Sequence, residues 1–390
     1  MALLLICGAA TAGGISEGLQ TILDLTDETT PVKAMIFLSK QVDIQSLDLA
    51  LHQAKAGRGF RHARVITELQ DLASATQGDL LATLDSEMSA GRVVGYTPHW
   101  LVNGVVVVAI KAALYDLAQR SDVDIIEADL VPALIEPVSI DTVPGGSPHQ
   151  GIGITPGVVA VGARRVWDEL GVRGEGALVG TLDWGVDGSH PALAARWRGN
   201  SAPWHHAWLD LQGTDTQFPS VGYGEWHGTH VMGTITGLAP EDTIGVAPEA
   251  EWIACNAIYL GAGSDMDNAV LAALAWFADP DGDPATVDDV PDVVQNSWGV
   301  LEGFTDYIDC DSRWWTAIDA CEAAGVVLTW SAGNEGPVST SLRSPADRAT
   351  NIYNTFSVGS TIHSPPFTIS YFSSRGPAGP TCGHPYNLMK

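Results

Sequence analysis

From residue 152 onward, apolar runs of strand length alternate with runs of helical periodicity. ALVGTLD reads as a strand, HVMGTITGLA as a helix, EWIACNAI as a strand and MDNAVLAALAWFA as a helix. DVVQNS, RWWTAIDACEAAG and VVLTWSAG continue the series. Alternation at these lengths predicts an α/β domain over 152–390, a doubly wound parallel sheet with helices on both faces. In such sheets reactive groups collect at the carboxyl ends of the strands. The residues that close each apolar run are therefore where chemistry is to be sought.

The upstream part reads differently. Residues 30–137 predict a small α+β domain: PVKAMIFLSK as a strand, FRHARVITELQDLASATQGDLLATLDSEM as long helical sequence, VNGVVVVAI as a β-rich run. KAALYDLAQRSDVDIIEAD then reads as a helix leading into a strand, giving strands with two helices. Residues 138–151 are rich in Pro, Gly and Ser and read as an exposed linker open to proteolysis. At the start, residues 1–14 (MALLLICGAATAGG) form an apolar stretch closed by small residues, with Ala10-Thr11-Ala12 shaped like a signal-peptidase site. An apolar first strand is the competing reading. No later segment reaches about 18 uninterrupted apolar residues, so no membrane span is predicted.

Charge narrows the function classes. The chain carries 46 acidic residues against 19 basic ones, a formal net charge of −27. Nucleic-acid binding needs basic surface to meet phosphates, and this balance argues against it. An acidic chain with no lysine between Lys111 and Lys390 suits a secreted protein. Among five cysteines, Cys255 lies in an apolar run and reads as a buried thiol, while Cys310 and Cys321 flank a helix start and suit a local disulfide. Cys382 has no evident partner.

Three stretches end strands or open helices in the places that matter. In TLDWGVDGSHPAL, Asp183 closes an apolar strand, where a carboxylate can cap a turn or orient an imidazole. In WHGTHVMG, His227 stands at the mouth of a helix and can present one ring nitrogen outward and the other to a carboxylate, as a general base must. A metal-binding histidine pair normally has an intervening glutamate and a third ligand. Neither is present here, so His230 reads as a structural residue of the helix. In VVLTWSAGNEG, Asn334 follows a strand end, where its amide can donate to an oxyanion or simply occupy a turn.

Taken in order, Asp183 in TLDWGVD, His227 in HGTHVMGT, Ser297-Trp298-Gly299 in QNSWG and Asn334 in SAGNEG resemble the subtilisin-like serine proteases, the subtilase family. GVRGEGALVGTLDWGVDGSHPAL, IGVAPEAEWIACNAI and PDVVQNSWG are similar to bacillopeptidase F-like members, and the resemblance covers about 155–390. It implies a subtilisin-like fold in which Asp183 orients His227, His227 takes the proton of a serine nucleophile and Asn334 donates to the oxyanion. It further implies that Ser297-Trp298-Gly299 and Ser331-Ala332-Gly333 line the substrate pocket, with Trp298 and Trp330 hinting at apolar walls. Residues 30–137 resemble the inhibitory propeptide of such zymogens. The partners implied are protein or peptide substrates and the chain's own propeptide. No organic cofactor is required.

Two departures stand out. The residue after the aspartate, usually a small hydroxyl residue in this family, is Trp184, which removes one support for the carboxylate. The serine of the family sits in a Gly-Thr-Ser stretch, and here the Gly-Thr pairs read GTLD, GTHV, GTDT and GTIT. The expectation is a peptidase domain that stops before its nucleophile, inactive as it stands. The alternative is a catalytically dead module that binds peptides or proteases. Finally, ADPDGDPATVDDVPDV (the 279–292 region) carries Asp279, Asp281, Asp283, Asp288, Asp289 and Asp292. Such carboxylates suit Ca2+, although Val290 stands where an EF-hand loop places its glutamate. A solvated acidic loop is the favoured reading.

Overall fold

The computed structural model describes residues 13–129, 133–134 (backbone only), 153–214, 216–222, 226–258, 265–300, 314–348 and 356–378. Residues 1–12 of the leader expected over 1–14, the linker over 138–151, Cys310 and Cys382 lie outside these. Two units emerge, one of Met1–Asp43 with Thr67–Leu130 and one of Ile44–Ile66 with Val131–Lys390.

The first unit is built on a five-stranded sheet. Its strands are β1 (Gly14–Ile15), β2 (Val32–Leu38), β3 (Val93–His99), β4 (Gly104–Ala109) and β5 (Val123–Ala128), in the order β1-β5-β2-β4-β3. Alternate residues face one core: Ala34, Ile36 and Leu38 from β2, with Val105, Val107 and Ala109 from β4. Helix α1 (Glu17–Leu25), capped by the Ser16 hydroxyl accepting from Leu19 N–H at 3.2 Å, adds Leu19 and Leu23. Helices α4 (Gly78–Ser89) and α5 (Lys111–Ala118) add Leu80, Leu84, Leu114 and Leu117. The sequence reading began this module at residue 30. The sheet in fact draws in Gly14 and Ile15, paired with Ile125 and Ile126, because the apolar face of α1 needs that core.

Helices α2 (Ile44–Gln53) and α3 (Arg58–Thr76) complete that stretch, and Ile44–Ile66 groups with the second unit. Charge pairs on the first turn of α3 explain the grouping. Arg58 meets Asp292 at 2.8 Å and donates to the Val290 carbonyl at 2.6 Å, while Arg61 pairs with Asp48 and donates to the Ala323 carbonyl at 3.2 Å.

In the second unit, β6 (Ala133–Leu134), β7 (Gly153–Ile154), α6 (Pro156–Ala160) and α7 (Ala163–Leu170) precede a six-stranded sheet. That sheet is made of β8 (Leu178–Asp183), β9 (Trp208–Leu209), β11 (Glu251–Asn256), β12 (Val293–Asn296), β14 (Val327–Ser331) and β15 (Phe356–Val358). Its order is β15-β14-β12-β8-β11-β9, and every pairing is parallel. Helices α8 (His227–Thr236), α9 (Met266–Ala278) and α10 (Trp315–Ala324) connect the strands; short β10 (Asp242–Thr243) pairs with β7, and β13 (Trp298–Gly299) follows β12. The α/β fold with a parallel sheet expected from the alternation is the fold observed. All six residues of β8 are buried, which is why ALVGTLD reads as a mostly apolar run closed by Asp183 rather than an alternating one.

Beneath the carboxyl ends of β12 and β14, Trp298 packs edge-on against Trp314 and Trp330 with ring centroids 5.4 and 4.8 Å apart. Trp298 and Trp330 are each 1% exposed, so these rings lie within the core. Cys321 is a free, buried thiol on α10, and Cys310, its anticipated disulfide partner, lies outside the described residues. Among the described residues no helix is long and apolar enough to cross a membrane.

Candidate active site

Three neighbouring strands, β8, β12 and β14, run parallel and end at one edge of the sheet. Asp183 is the last residue of β8. Ser297 follows the end of β12, Ser331 ends β14, and Ala332, Gly333 and Asn334 continue from it. The topology therefore gathers at one edge residues that the sequence spreads over some 150 positions.

Asp183 is buried, its side chain 1% exposed, and His227 stands at the first turn of α8 with its side chain 8% exposed. The imidazole Nδ1 lies 2.8 Å from Oδ1 and 2.9 Å from Oδ2 of Asp183. An ionised carboxylate so placed accepts Nδ1–H and fixes the tautomer in which Nε2 carries the lone pair. A buried carboxylate needs further donors. One is the backbone N–H of Trp184, 2.8 Å from Oδ1. The hydroxyl that Trp184 displaced is thus answered by the main chain, and the indole plays no part.

The close approach depends on Gly228. A methyl group built there would stand 2.2 Å from the Gly185 carbonyl oxygen and 3.1 Å from the Asp183 side chain. Thr229, next along α8, accepts from the Asp187 N–H at 2.9 Å and locks the helix start to the loop after β8. His230 is exposed on α8 and lines an open cavity with Trp226, His190 and Val158. The two histidines of WHGTHVMG separate into different environments.

Beside Ala332 and Gly333, the Asn334 loop is held by residues the sequence reading did not single out. Gly333 has φ 110°, a conformation in which a side chain is strained, and a Cβ there would stand 2.4 Å from Glu335. Ser374 accepts from the Glu335 N–H at 3.1 Å and donates to its carboxylate at 3.0 Å, while Arg343 donates to the same carboxylate at 2.9 Å. The Ser374 N–H also reaches the Gly333 carbonyl at 3.0 Å, and Ala332 N–H reaches Val358 O at 3.0 Å. The clue was the SSRGP stretch, whose polar side chains have no role in a strand or helix pattern.

At the neighbouring strand, buried Asn296 donates to the Thr329 carbonyl at 3.2 Å and accepts from the Trp298 indole at 3.2 Å, fixing the turn into Ser297-Trp298-Gly299. Ser297 accepts from the Gln295 amide at 2.6 Å. Along this segment β13 pairs antiparallel with β6, Trp298 opposite Leu134 and Gly299 opposite Ala133. A strand from upstream in the chain thus lies beside the segment that the resemblance assigns to substrate.

Residues 174–382 match the peptidase S8 profile, described as the subtilase family. Bacillopeptidase F of Bacillus subtilis (strain 168) is 29% identical over 332 residues, 80% of this chain and 22% of its own length. The minor extracellular protease Vpr of the same strain is 32% identical over 189 residues, 47% of this chain and 21% of its own length. Fervidolysin of Fervidobacterium pennivorans is 31% identical over 185 residues, covering 46% of this chain and 23% of its own. The chain thus spans about a fifth of each of these relatives. Among solved structures, the epidermin leader peptide processing serine protease EpiP of Staphylococcus aureus superposes with a TM-score of 0.52 at 15% identity. That match covers 88% of this chain and 72% of EpiP, a likeness of fold.

Proposed function

The chain belongs to the subtilase family, and we propose that it is the propeptide and peptidase portion of a secreted serine endopeptidase. The observation that carries this reading is the bidentate contact of Asp183 with His227 at the sheet edge where the Asn334 loop also emerges. In this reading Asp183 holds the imidazole so that Nε2 takes the proton of a serine hydroxyl as its oxygen attacks the scissile carbonyl. The C–N bond then breaks as His227 returns that proton to the leaving amine, and water resolves the acyl-enzyme by the same route. The Asn334 amide donates to the oxyanion, a contribution of about 10²–10³ in rate where such a donor has been removed elsewhere. Substrate lies as an extended strand against Ser297-Trp298-Gly299 and Ser331-Ala332-Gly333, met by main chain because both tryptophans are buried.

The pairing of Ala133–Leu134 with Trp298–Gly299 supports a zymogen in which the upstream segment occupies the substrate's place. The likeness to Vpr, an extracellular protease, supports secretion. The 390 residues contain no Gly-Thr-Ser, so the nucleophile in this scheme is not among them. A fluorophosphonate probe tests the whole reading. The 390-residue chain remains unlabelled; a polypeptide carrying a Gly-Thr-Ser helix after it labels, and His227→Ala abolishes the signal. Labelling that survives His227→Ala and Asp183→Ala would remove the proposed base. Peptide binding by the 390-residue chain, with no labelling in any extended form, would favour the non-catalytic binding module.

A further inference from the structure

The acidic stretch after α9 is not uniformly solvated. Asp283 and Asp288 are exposed, but Asp289 is only 6% exposed and Asp281 is half-buried. Asp288 is neutralised by Arg198 at 3.6 Å, and Asp292 by Arg58. Asp289 has no such partner. Neither of its carboxylate oxygens makes a hydrogen bond of normal geometry, and among the described residues no cationic side chain pairs with it. Burial, with the charge of Asp281 next, pushes its carboxyl up to about 6, although the N–H groups of Asp289 and Asp281 relieve it in part.

A buried carboxylate without donors or a counter-ion is costly, and the usual resolutions are protonation, pairing or a metal ion. The third side chain at this spot decides among them. His206, on the turn Trp204–His206 just before β9, brings a ring nitrogen into a group in which the ligand atoms of His206, Asp281 and Asp289 all lie within 4.8 Å of one another. Ligand atoms about 2.0–2.2 Å from a tetrahedral ion stand about 3.3–3.6 Å apart, so side-chain rotations that draw the atoms in by about an ångström close the set. We infer that His206, Asp281 and Asp289 form a binding site for a divalent cation of the zinc class.

The imidazole sets the metal preference. Calcium takes oxygen ligands in sixes to eights, whereas one nitrogen and two carboxylate oxygens plus water suit four-coordinate zinc. One Oδ of Asp281 is already engaged, accepting from the Asp283 N–H at 2.8 Å, which orients the carboxylate as a supporting bond should. The site is far from the catalytic edge in topology. Asp289 precedes β12 and His206 precedes β9, so it stands at the amino ends of these strands, in the parallel sheet whose β8 and β12 lead into Asp183 and Ser297 at their carboxyl ends. A bound ion there ties the 279–292 loop to the turn before the edge strand β9, a structural staple.

The test uses the full 390-residue chain, freed of metal with a chelator and titrated with ZnCl2 in a calorimeter, with melting temperature as a second readout. One zinc per chain is expected, with a rise in Tm, and Asp289→Asn and His206→Gln should each weaken binding by at least tenfold and erase the Tm rise. His205→Gln, the adjacent ring, should leave both intact. Asp289→Asn keeps the volume and removes the buried charge, so its metal-free form folds. No stoichiometric zinc binding, or binding equal in the wild type and both site variants, overturns the inference. Calcium binding that Asp289→Asn abolishes and His206→Gln leaves unchanged also overturns it, because histidine is then not a ligand.

Discussion

Asp183 meets His227 through a single ring nitrogen, Nδ1, which stands 2.8 and 2.9 Å from the two carboxylate oxygens. The carboxylate and the helix start that carries the ring both bear on its orientation. The contact can form only because α8 presses against the end of β8 at Gly228.

Gly228→Ala should separate the pair. Its Cβ would stand 2.2 Å from the Gly185 carbonyl, an atom of the backbone that cannot step aside. Overpacking of this kind costs about 1–3 kcal/mol. Urea unfolding should show that loss, and the Nδ1–H proton resonance of His227 should shift or broaden; an unchanged resonance would mean that α8 has room to retreat.

The Asn334 loop should loosen when Ser374 is replaced by alanine. The hydroxyl both accepts from the Glu335 N–H and donates to the Glu335 carboxylate. Leaving such buried groups unmade costs about 1–3 kcal/mol. Hydrogen exchange at the Glu335 amide should accelerate relative to strand β12, whose protection is expected to hold.

Arg348 is buried to 1% exposure and pairs with Asp319 and, at 2.7 Å, with Glu322, both on α10. Arg348→Ala strands two carboxylates in the interior, for which about 3–5 kcal/mol of destabilisation is expected. Replacing Asp319 and Glu322 together with Asn and Gln in that background should recover part of the loss, measured as the urea midpoint.

Acid sensitivity in the first unit should trace in part to Asp27. Its carboxylate accepts from the Thr29 and Thr30 backbone N–H groups and hydroxyls, which hold its pKa down from 3.8 to about 2. The folded state therefore binds its proton less readily than the unfolded chain. The contribution is complete above the ordinary carboxylate range and fades as pH falls through about 2. Carboxyl-carbon NMR should find that low midpoint, and Asp27→Asn should flatten the corresponding part of the stability profile.

Burial pushes the thiols of Cys255 and Cys321 well up from their ordinary value. Neither should react with iodoacetamide at neutral pH while the chain is folded, and both should react in urea. Alkylation of native protein at Cys321 would show that α10 opens locally.

The alternation of apolar and helical runs specified the parallel sheet, because strands buried on both faces are largely apolar, and β8 is so apart from Thr181 and its closing Asp183. The same runs marked their own carboxyl ends, so Asp183, His227 and Asn334 were legible as candidates before any coordinates. What local pattern could not show was distance. The SSRGP stretch marks Ser374 as unusual but not as the holder of the Asn334 loop, and the chain gives no sign that Ile44–Ile66 leaves its neighbours to group with the second unit or that α1 belongs with the first sheet.

The acidic run over 279–292 makes the division plain. Its sequence determined a high density of carboxylates and nothing about which of them meet water. Tertiary structure decided that Asp289 is buried and that His206, 75 positions or more upstream of either carboxylate, stands beside it. Periodicity reports which face of an element is apolar, because burial acts on residues a turn or two apart. Charge pairing, and the desolvation that gives it force, depends on separations in space that only the folded chain sets.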